Sequence, residues 1–160
     1  MDDWQRIRDV IAARWESTFY LDDHPMPLPS SMREVFERME SEEEVYTGWW
    51  CIQGPEGLGI RSIINYPEEV RFDLGPDEIA GQPQLEALCE FVRAIGATLD
   101  RSVFVCHEHG STDEAMALDT ATMRYVPETD AVVRVPPPDS TPKSLFERWD
   151  ENAAARSERG

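Results

Sequence analysis

Two histidines in the segment Cys106-His107-Glu108-His109 are the residues of this chain best suited to chemistry. On a β-strand alternate side chains share a face, so His107 and His109 would present two imidazoles to one metal ion. A zinc site needs at least a third protein ligand, and the remaining histidine, His24, is distant in sequence. We favour a strand that leaves the core at this point. A metal-dependent hydrolase that uses His107 and His109 is the alternative.

The three cysteines, Cys51, Cys89 and Cys106, do not form a pattern for thiol chemistry. Their number is odd and they contain no CxxC pair, which favours reduced thiols in a cytoplasm over a disulfide framework. Cys106 adjoins His107, but neighbours on a strand point to opposite faces, so the two cannot act as a catalytic dyad. Cys51 and Cys89 lie in apolar stretches, where burial is expected.

A glycine-rich stretch at residues 53–59 matches neither common phosphate-binding motif. It joins two predicted antiparallel strands and opens no helix, so we interpret it as a hairpin turn. The sequence also carries no GxSxG elbow of a serine hydrolase. We therefore expect a protein that is not an enzyme, with no catalytic residue and no cofactor.

Charge is the strongest compositional feature, because the 160 residues carry a net charge of −17 at pH 7. Such a surface repels nucleic-acid phosphates and attracts basic proteins. The densest run, Glu40-Ser41-Glu42-Glu43-Glu44, follows a predicted helix, where negative charge opposes the helix dipole. A solvated helix end is the simpler interpretation of this run, and a binding surface is the other.

Trp49 and Trp50 are adjacent on a predicted strand at residues 45–53, so they must face opposite ways. One is expected in the core, and the other lies under a helix or at a surface, where tryptophan is an efficient binding anchor. The candidate partner-binding residues combine these indoles with acidic side chains: Glu40, Glu42, Glu43, Glu44, Trp49, Trp50, Asp113 and Glu114.

Helices are predicted from apolar residues at helical spacing. The first covers residues 2–18 on a stripe from Trp4 to Thr18, and the second begins at Ser30 or Ser31 with a capping-box pattern between Ser31 and Glu34. The third is the clearest, with Leu85, Leu88, Val92, Ile95 and Leu99 on one face. A last helix is predicted at residues 142–155.

Strands are predicted at residues 45–53, 58–65, 69–74 and 102–109, with a less regular stretch at 115–126. A hairpin joins 123–126 to 131–135, and the proline-rich residues 21–29 form an extended connector. This order predicts a single α+β domain at residues 1–155, with a frayed tail at 156–160. Its core is a mainly antiparallel sheet of about five to six strands, with helices packed on at least one face.

These features favour an acidic cytoplasmic module that neutralises a basic protein partner such as a bacterial toxin or nuclease. In size, charge and mixed element order the chain resembles bacterial toxin-immunity proteins as a class, which implies an inhibitor. A nucleic-acid mimic is a variant of this hypothesis, and a non-catalytic adaptor subunit is an alternative to it. No basic patch suggests nucleic-acid binding, no apolar run is long enough to cross a membrane, and the acidic N-terminus is unlike a secretion signal.

Overall fold

The computed structural model describes residues 2–21, 23–41, 48–64, 67–106 and 121–135. The chain divides into two compact units, residues 1–80 and 81–160. Helices pack on antiparallel sheets, which confirms the predicted α+β class. The described strands are shared between a five-stranded and a three-stranded sheet. The predicted helix at 142–155 and the tail at 156–160 lie outside the described residues.

The first unit begins with helix α1 (Asp2–Arg14), which buries Trp4, Ile7 and Ile11. The prediction that this helix extends to residue 18 is wrong, because Thr18 belongs to a strand. The apolar spacing of α1 continues by coincidence into the segment Glu16–Leu21. The buried residues of this segment recur at every second position, which is the period of a β-strand. Helix α2 (Met32–Ser41) begins after Ser31, whose hydroxyl accepts a bond from the Glu34 N–H at 3.4 Å.

Five strands form the sheet of this unit, in the order β2-β1-β3-β4-β5, and every neighbouring pair is antiparallel. The proline-rich connector supplies β2, an edge strand, where Pro25 removes no interior ladder bond. Of the predicted strand at 69–74, two residues join the sheet. The strands are β1 (Glu16–Leu21), β2 (His24–Met26), β3 (Gly48–Gln53), β4 (Gly59–Ile64) and β5 (Asp73–Leu74).

The core of the first unit combines the buried sides of α1 and α2 with one face of the sheet. The rings of Trp4 and Phe36 join the two helices, with centroids 5.9 Å apart. On the sheet the same core takes every second residue of the central strands, and Trp50 has no exposed surface. The principal sheet residues of this core are Phe19, Leu21, Trp50, Ile52, Ile60, Ser62 and Ile64.

The second unit consists of helix α3 (Gln82–Leu99) and the strands β6 (Phe104–Cys106), β7 (Ala121–Val126) and β8 (Ala131–Arg134). The strands pair antiparallel in the order β6-β7-β8. The predicted hairpin between β7 and β8 is confirmed, and its turn is a short 3-10 segment, Pro127–Thr129. Residues 107–109 of the strand predicted at 102–109 lie outside the described residues.

Helix α3 packs on β7 and β8 through the apolar stripe that the sequence predicts. Leu85, Leu88, Val92 and Ile95 are buried, and Leu99 is half-buried at the end of the helix. Gly96 lies in the last turns of α3 against the ring of Tyr125 on β7. The sheet face that carries Tyr125 is therefore the face that meets the helix.

Candidate protein-binding site

The face of the five-stranded sheet opposite the core carries an aromatic pair. Strand alternation buries Phe19 on β1 and Trp50 on β3, which leaves Tyr20 and Trp49 half-buried on the other face. The expectation that the two tryptophans face opposite ways is met, with Trp50 as the core residue. Trp49 lies on the face that the core does not use.

The pairing register continues this pair into a row across four strands. Tyr20 lies opposite Trp49, and Trp49 lies opposite Ile63 on β4. On the other side Pro25 of β2 lies opposite Tyr20. Directly opposed residues on antiparallel strands have side chains close enough to touch, so these four residues form one continuous strip. We call this strip, Pro25, Tyr20, Trp49 and Ile63, the Trp49 row.

Three described carboxylates lie in connections at the end of the sheet next to the Trp49 row. At this end the last paired residues are Leu21 with Gly48, and Gly48 with Ile64. In the sequence, segments 22–23, 42–47 and 65–69 adjoin these residues and hold seven carboxylates and no lysine or arginine, although residues 22, 42–47 and 65–66 lie outside the described part of the chain. We call the described carboxylates of these segments, Asp23, Glu68 and Glu69, the acidic end.

The three carboxylates of the acidic end differ in exposure and in pairing. Asp23 is exposed and adopts the left-handed conformation, with φ of 62°, in the turn between β1 and β2. Glu68 is also exposed, whereas Glu69 is partly neutralised by Arg71, 2.9 Å away. Short acidic side chains tolerate the left-handed conformation, which explains an aspartate in this tight turn.

The next row across the same face is more polar. Thr18 lies opposite Cys51, Cys51 lies opposite Arg61, and Arg61 lies opposite Asp73. In this row the positive charge of Arg61 is opposite the negative charge of Asp73. Of these two rows, only the Trp49 row carries aromatic side chains. Cys51 is half-buried on this face, so the expectation of a buried thiol is wrong for it.

Cys89 is half-buried as well, on α3 of the second unit. Its Sγ lies 4.0 Å from the Sδ of Met123. Burial, with a smaller contribution from the Glu86 carboxylate, raises the pKa of the Cys89 thiol. A raised pKa reduces the thiolate fraction at neutral pH, so this cysteine is poorly suited to nucleophilic chemistry.

The predicted site residues fall in different places. Trp49 lies at the centre of the Trp49 row, whereas Trp50 is enclosed in the core, and its buried indole N–H has no hydrogen-bond partner among the described residues. Glu40 lies in the last turn of α2. The other predicted residues, Glu42, Glu43, Glu44, Asp113, Glu114, His107 and His109, lie outside the described residues.

Sequence reasoning missed Tyr20, Pro25 and Ile63 as members of the site. Tyr20 was hidden because its strand was divided between a predicted helix and a predicted connector. The signal that could have found it is the alternation of Phe19 and Leu21 with polar neighbours. No signal in the sequence could align Ile63 with Trp49, because the register depends on the turn between β3 and β4.

Within the described part of the chain, no three histidine, cysteine, aspartate or glutamate residues are grouped so as to hold a metal ion. No helix in that part combines the length and the apolar character that a membrane span requires. Comparisons of the chain with protein-family models, with curated proteins and with solved structures each found no match.

Proposed function

We propose that this chain is a protein-binding module that occupies a basic surface of its partner, in the manner of an inhibitor or immunity-type protein. The observation that supports the proposal is the position of the Trp49 row beside the acidic end. An aromatic strip flanked by carboxylates offers apolar contact area and negative potential to the same partner.

The two parts of the surface have different roles in this proposal. The net charge of −17 accelerates encounter with a basic partner over a distance of about 10 Å at moderate salt. Tyr20 and Trp49 then supply contact area at little cost in side-chain entropy, because each has few rotatable bonds. A basic toxin or nuclease is the partner class that fits, since such proteins need positive charge to hold nucleic acid.

Affinity capture from the native lysate across a salt gradient tests the proposal. The tagged wild-type chain is compared with Trp49→Ala and with the triple variant Glu42→Gln, Glu43→Gln and Glu44→Gln. We expect one basic protein to be retained at low salt by the wild type and lost as salt rises. Trp49→Ala should weaken retention at all salt concentrations, whereas the triple variant should reduce its salt dependence.

A matched control separates local from overall charge. The variant Glu86→Gln, Glu90→Gln and Glu128→Gln removes the same number of charges from exposed positions of the second unit. It should retain the partner nearly as well as the wild type. Equal losses in both triple variants, or retention that Trp49→Ala leaves unchanged, would contradict a binding surface at the Trp49 row.

A further inference from the structure

A second, independent feature lies in the three-stranded sheet of the second unit. Arg124 is in the central strand β7, opposite Phe104 on β6 and Val133 on β8. These three side chains share the sheet face opposite Met123 and Tyr125, which are buried on the α3 side. Val133 is an exposed hydrophobic residue, with 38% of its surface accessible. The side chain of Arg124 therefore lies between two apolar side chains on this face.

The guanidinium of Arg124 is incompletely satisfied. Its Nε is buried and has no hydrogen-bond partner, and within the described residues Arg124 makes no ion pair. A buried donor without a partner destabilises the folded chain. Burial of the Nε leaves the terminal nitrogens as the part of the guanidinium that a ligand from outside can reach. This chain has 32 acidic residues, so an arginine without a carboxylate partner among the described residues is unexpected on composition alone.

We infer that this face of the three-stranded sheet binds an acidic side chain of a protein partner. The carboxylate pairs with the terminal nitrogens of Arg124, and the apolar atoms around it pack on Phe104 and Val133. We name this surface, Phe104, Arg124 and Val133, the Arg124 site.

The chemistry of the surface selects this occupant. The planar fork of a guanidinium fits a carboxylate, and pairing it in a partly desolvated place strengthens the bond. A polyanion such as nucleic acid is repelled by the net charge of −17, and one arginine cannot offset that repulsion. A single carboxylate of a protein partner carries one negative charge, so it is repelled far less than a polyanion.

The loss of Arg124 should affect stability and binding differently. If the carboxylate comes from a partner, the free protein gains nothing from Arg124 and bears the cost of its unpaired donor. Arg124→Met keeps the apolar stem and removes that cost, so the free protein should unfold at an equal or higher temperature. The same substitution should abolish binding at the site.

Nuclear magnetic resonance of the full chain provides the test. The Nε–H signal of Arg124, assigned by its loss in Arg124→Met, is followed as a blocked tripeptide, acetyl-Val-Glu-Val-amide, is added. We expect a saturable shift of this signal. The twin peptide with glutamine in place of glutamate should give less than a fifth of the shift, and the control variant Arg134→Gln, which alters the neighbour of Val133, should leave it unchanged.

Three results would overturn the inference. Equal shifts with both peptides would show that the carboxylate is not recognised. A saturable shift with inorganic phosphate at equal or lower concentration would show a general anion site. A marked fall in the unfolding temperature of Arg124→Met would show that a carboxylate of the chain itself pairs with Arg124. None of these outcomes depends on Trp49, so the proposal at the Trp49 row stands or fails separately.

Discussion

A Cβ atom built on Gly96 of helix α3 would lie 2.1 Å from Cδ1 of Tyr125 on strand β7. This distance is far shorter than any van der Waals contact, so the helix and the sheet approach closely because residue 96 has no side chain. Tyr125 is itself buried, with 3% of its surface exposed. The glycine therefore sets the spacing between the two layers of the second unit.

Gly96→Ala should destabilise the second unit in spite of the higher helix propensity of alanine. The gain in propensity is about 1 kcal/mol, whereas inserting a methyl group into a packed contact costs about 1–3 kcal/mol and more where the backbone must move. Urea denaturation measures the difference. In a Tyr125→Ala background the clash is absent, so the same substitution should be neutral or stabilising. A loss of equal size in both backgrounds would contradict the packing explanation.

The carboxylate of Asp130 gives the second unit a pH-dependent contribution to stability. Arg93 donates from both Nε and Nη2 to this carboxylate, and the Tyr125 hydroxyl donates to it at 3.1 Å. The bond from Arg93, followed by that from Tyr125, holds the pKa of Asp130 below its usual value, although desolvation opposes the shift. A carboxyl group whose pKa is lowered on folding stabilises the folded state above its unfolded pKa, and this contribution is lost as pH falls through the folded value.

Asp130→Asn should therefore lower the urea midpoint at pH 7 by more than it does at pH 3. Asparagine tolerates the left-handed conformation of residue 130, whose φ is 49°, so the comparison leaves the turn intact. The difference between wild type and variant should shrink as pH falls below about 4. Glu128→Gln, an exposed change in the same turn, serves as the control. A difference for Asp130→Asn that is constant with pH would contradict the ion-pair explanation.

Long elements with one strong period could be predicted from the sequence, and short ones could not. Helix α3 has an apolar residue at every third or fourth position over five turns, and its buried face was identified correctly. Strand β1 was missed because Trp15 and Thr18 extend the helical spacing of α1 by chance. The edge strands β2 and β5 have three and two residues, too few for any period to show.

One part of the candidate site could be predicted from the sequence and the other could not, because alternation within a strand is a local pattern and strand pairing is not. Alternation alone places Trp49 and Trp50 on opposite faces, so the sequence predicts that only one of the two faces the core. Which one faces the core depends on the helices that cover the sheet, and this is a tertiary property. The alignment of Tyr20 with Trp49 depends on strand register across a sheet, which local patterns do not encode.

Ser62 joins the segment after β4 to the core of the first unit. Its hydroxyl is fully buried and donates to the carbonyl oxygen of Arg71 at 2.7 Å. Ser62→Ala should lower the free energy of unfolding by about 1–3 kcal/mol, because the bond is lost in a buried place. It should also accelerate hydrogen exchange in peptides that cover residues 67–74.

Thr129→Ala is a suitable control for Ser62→Ala. The Thr129 hydroxyl also donates to a carbonyl, that of Val126, but at 3.4 Å in an exposed turn. Its removal should change the free energy of unfolding by less than about 0.5 kcal/mol. Similar losses in both variants would show that burial does not determine the strength of the Ser62 bond.

The neighbouring tryptophans of β3 allow stability and binding to be tested at adjacent positions. Trp50→Ala removes a side chain with no exposed surface and should cost about 3–5 kcal/mol of unfolding free energy, enough to unfold much of the protein. Trp49→Ala removes a half-buried side chain from the outer face, so its cost should be well below that of Trp50→Ala. Urea denaturation of both variants measures this difference.

Binding should show the opposite order once folding is taken into account. Folded Trp49→Ala should lose affinity for the basic partner by at least tenfold, since a central aromatic anchor typically contributes more than about 1.4 kcal/mol. Trp50→Phe, which keeps an aromatic ring in the core and removes the unpartnered indole N–H, should bind as the wild type does. If Trp49→Ala destabilised the chain as severely as Trp50→Ala, Trp49 would be a core residue, and the Trp49 row would not be a surface on which a partner docks.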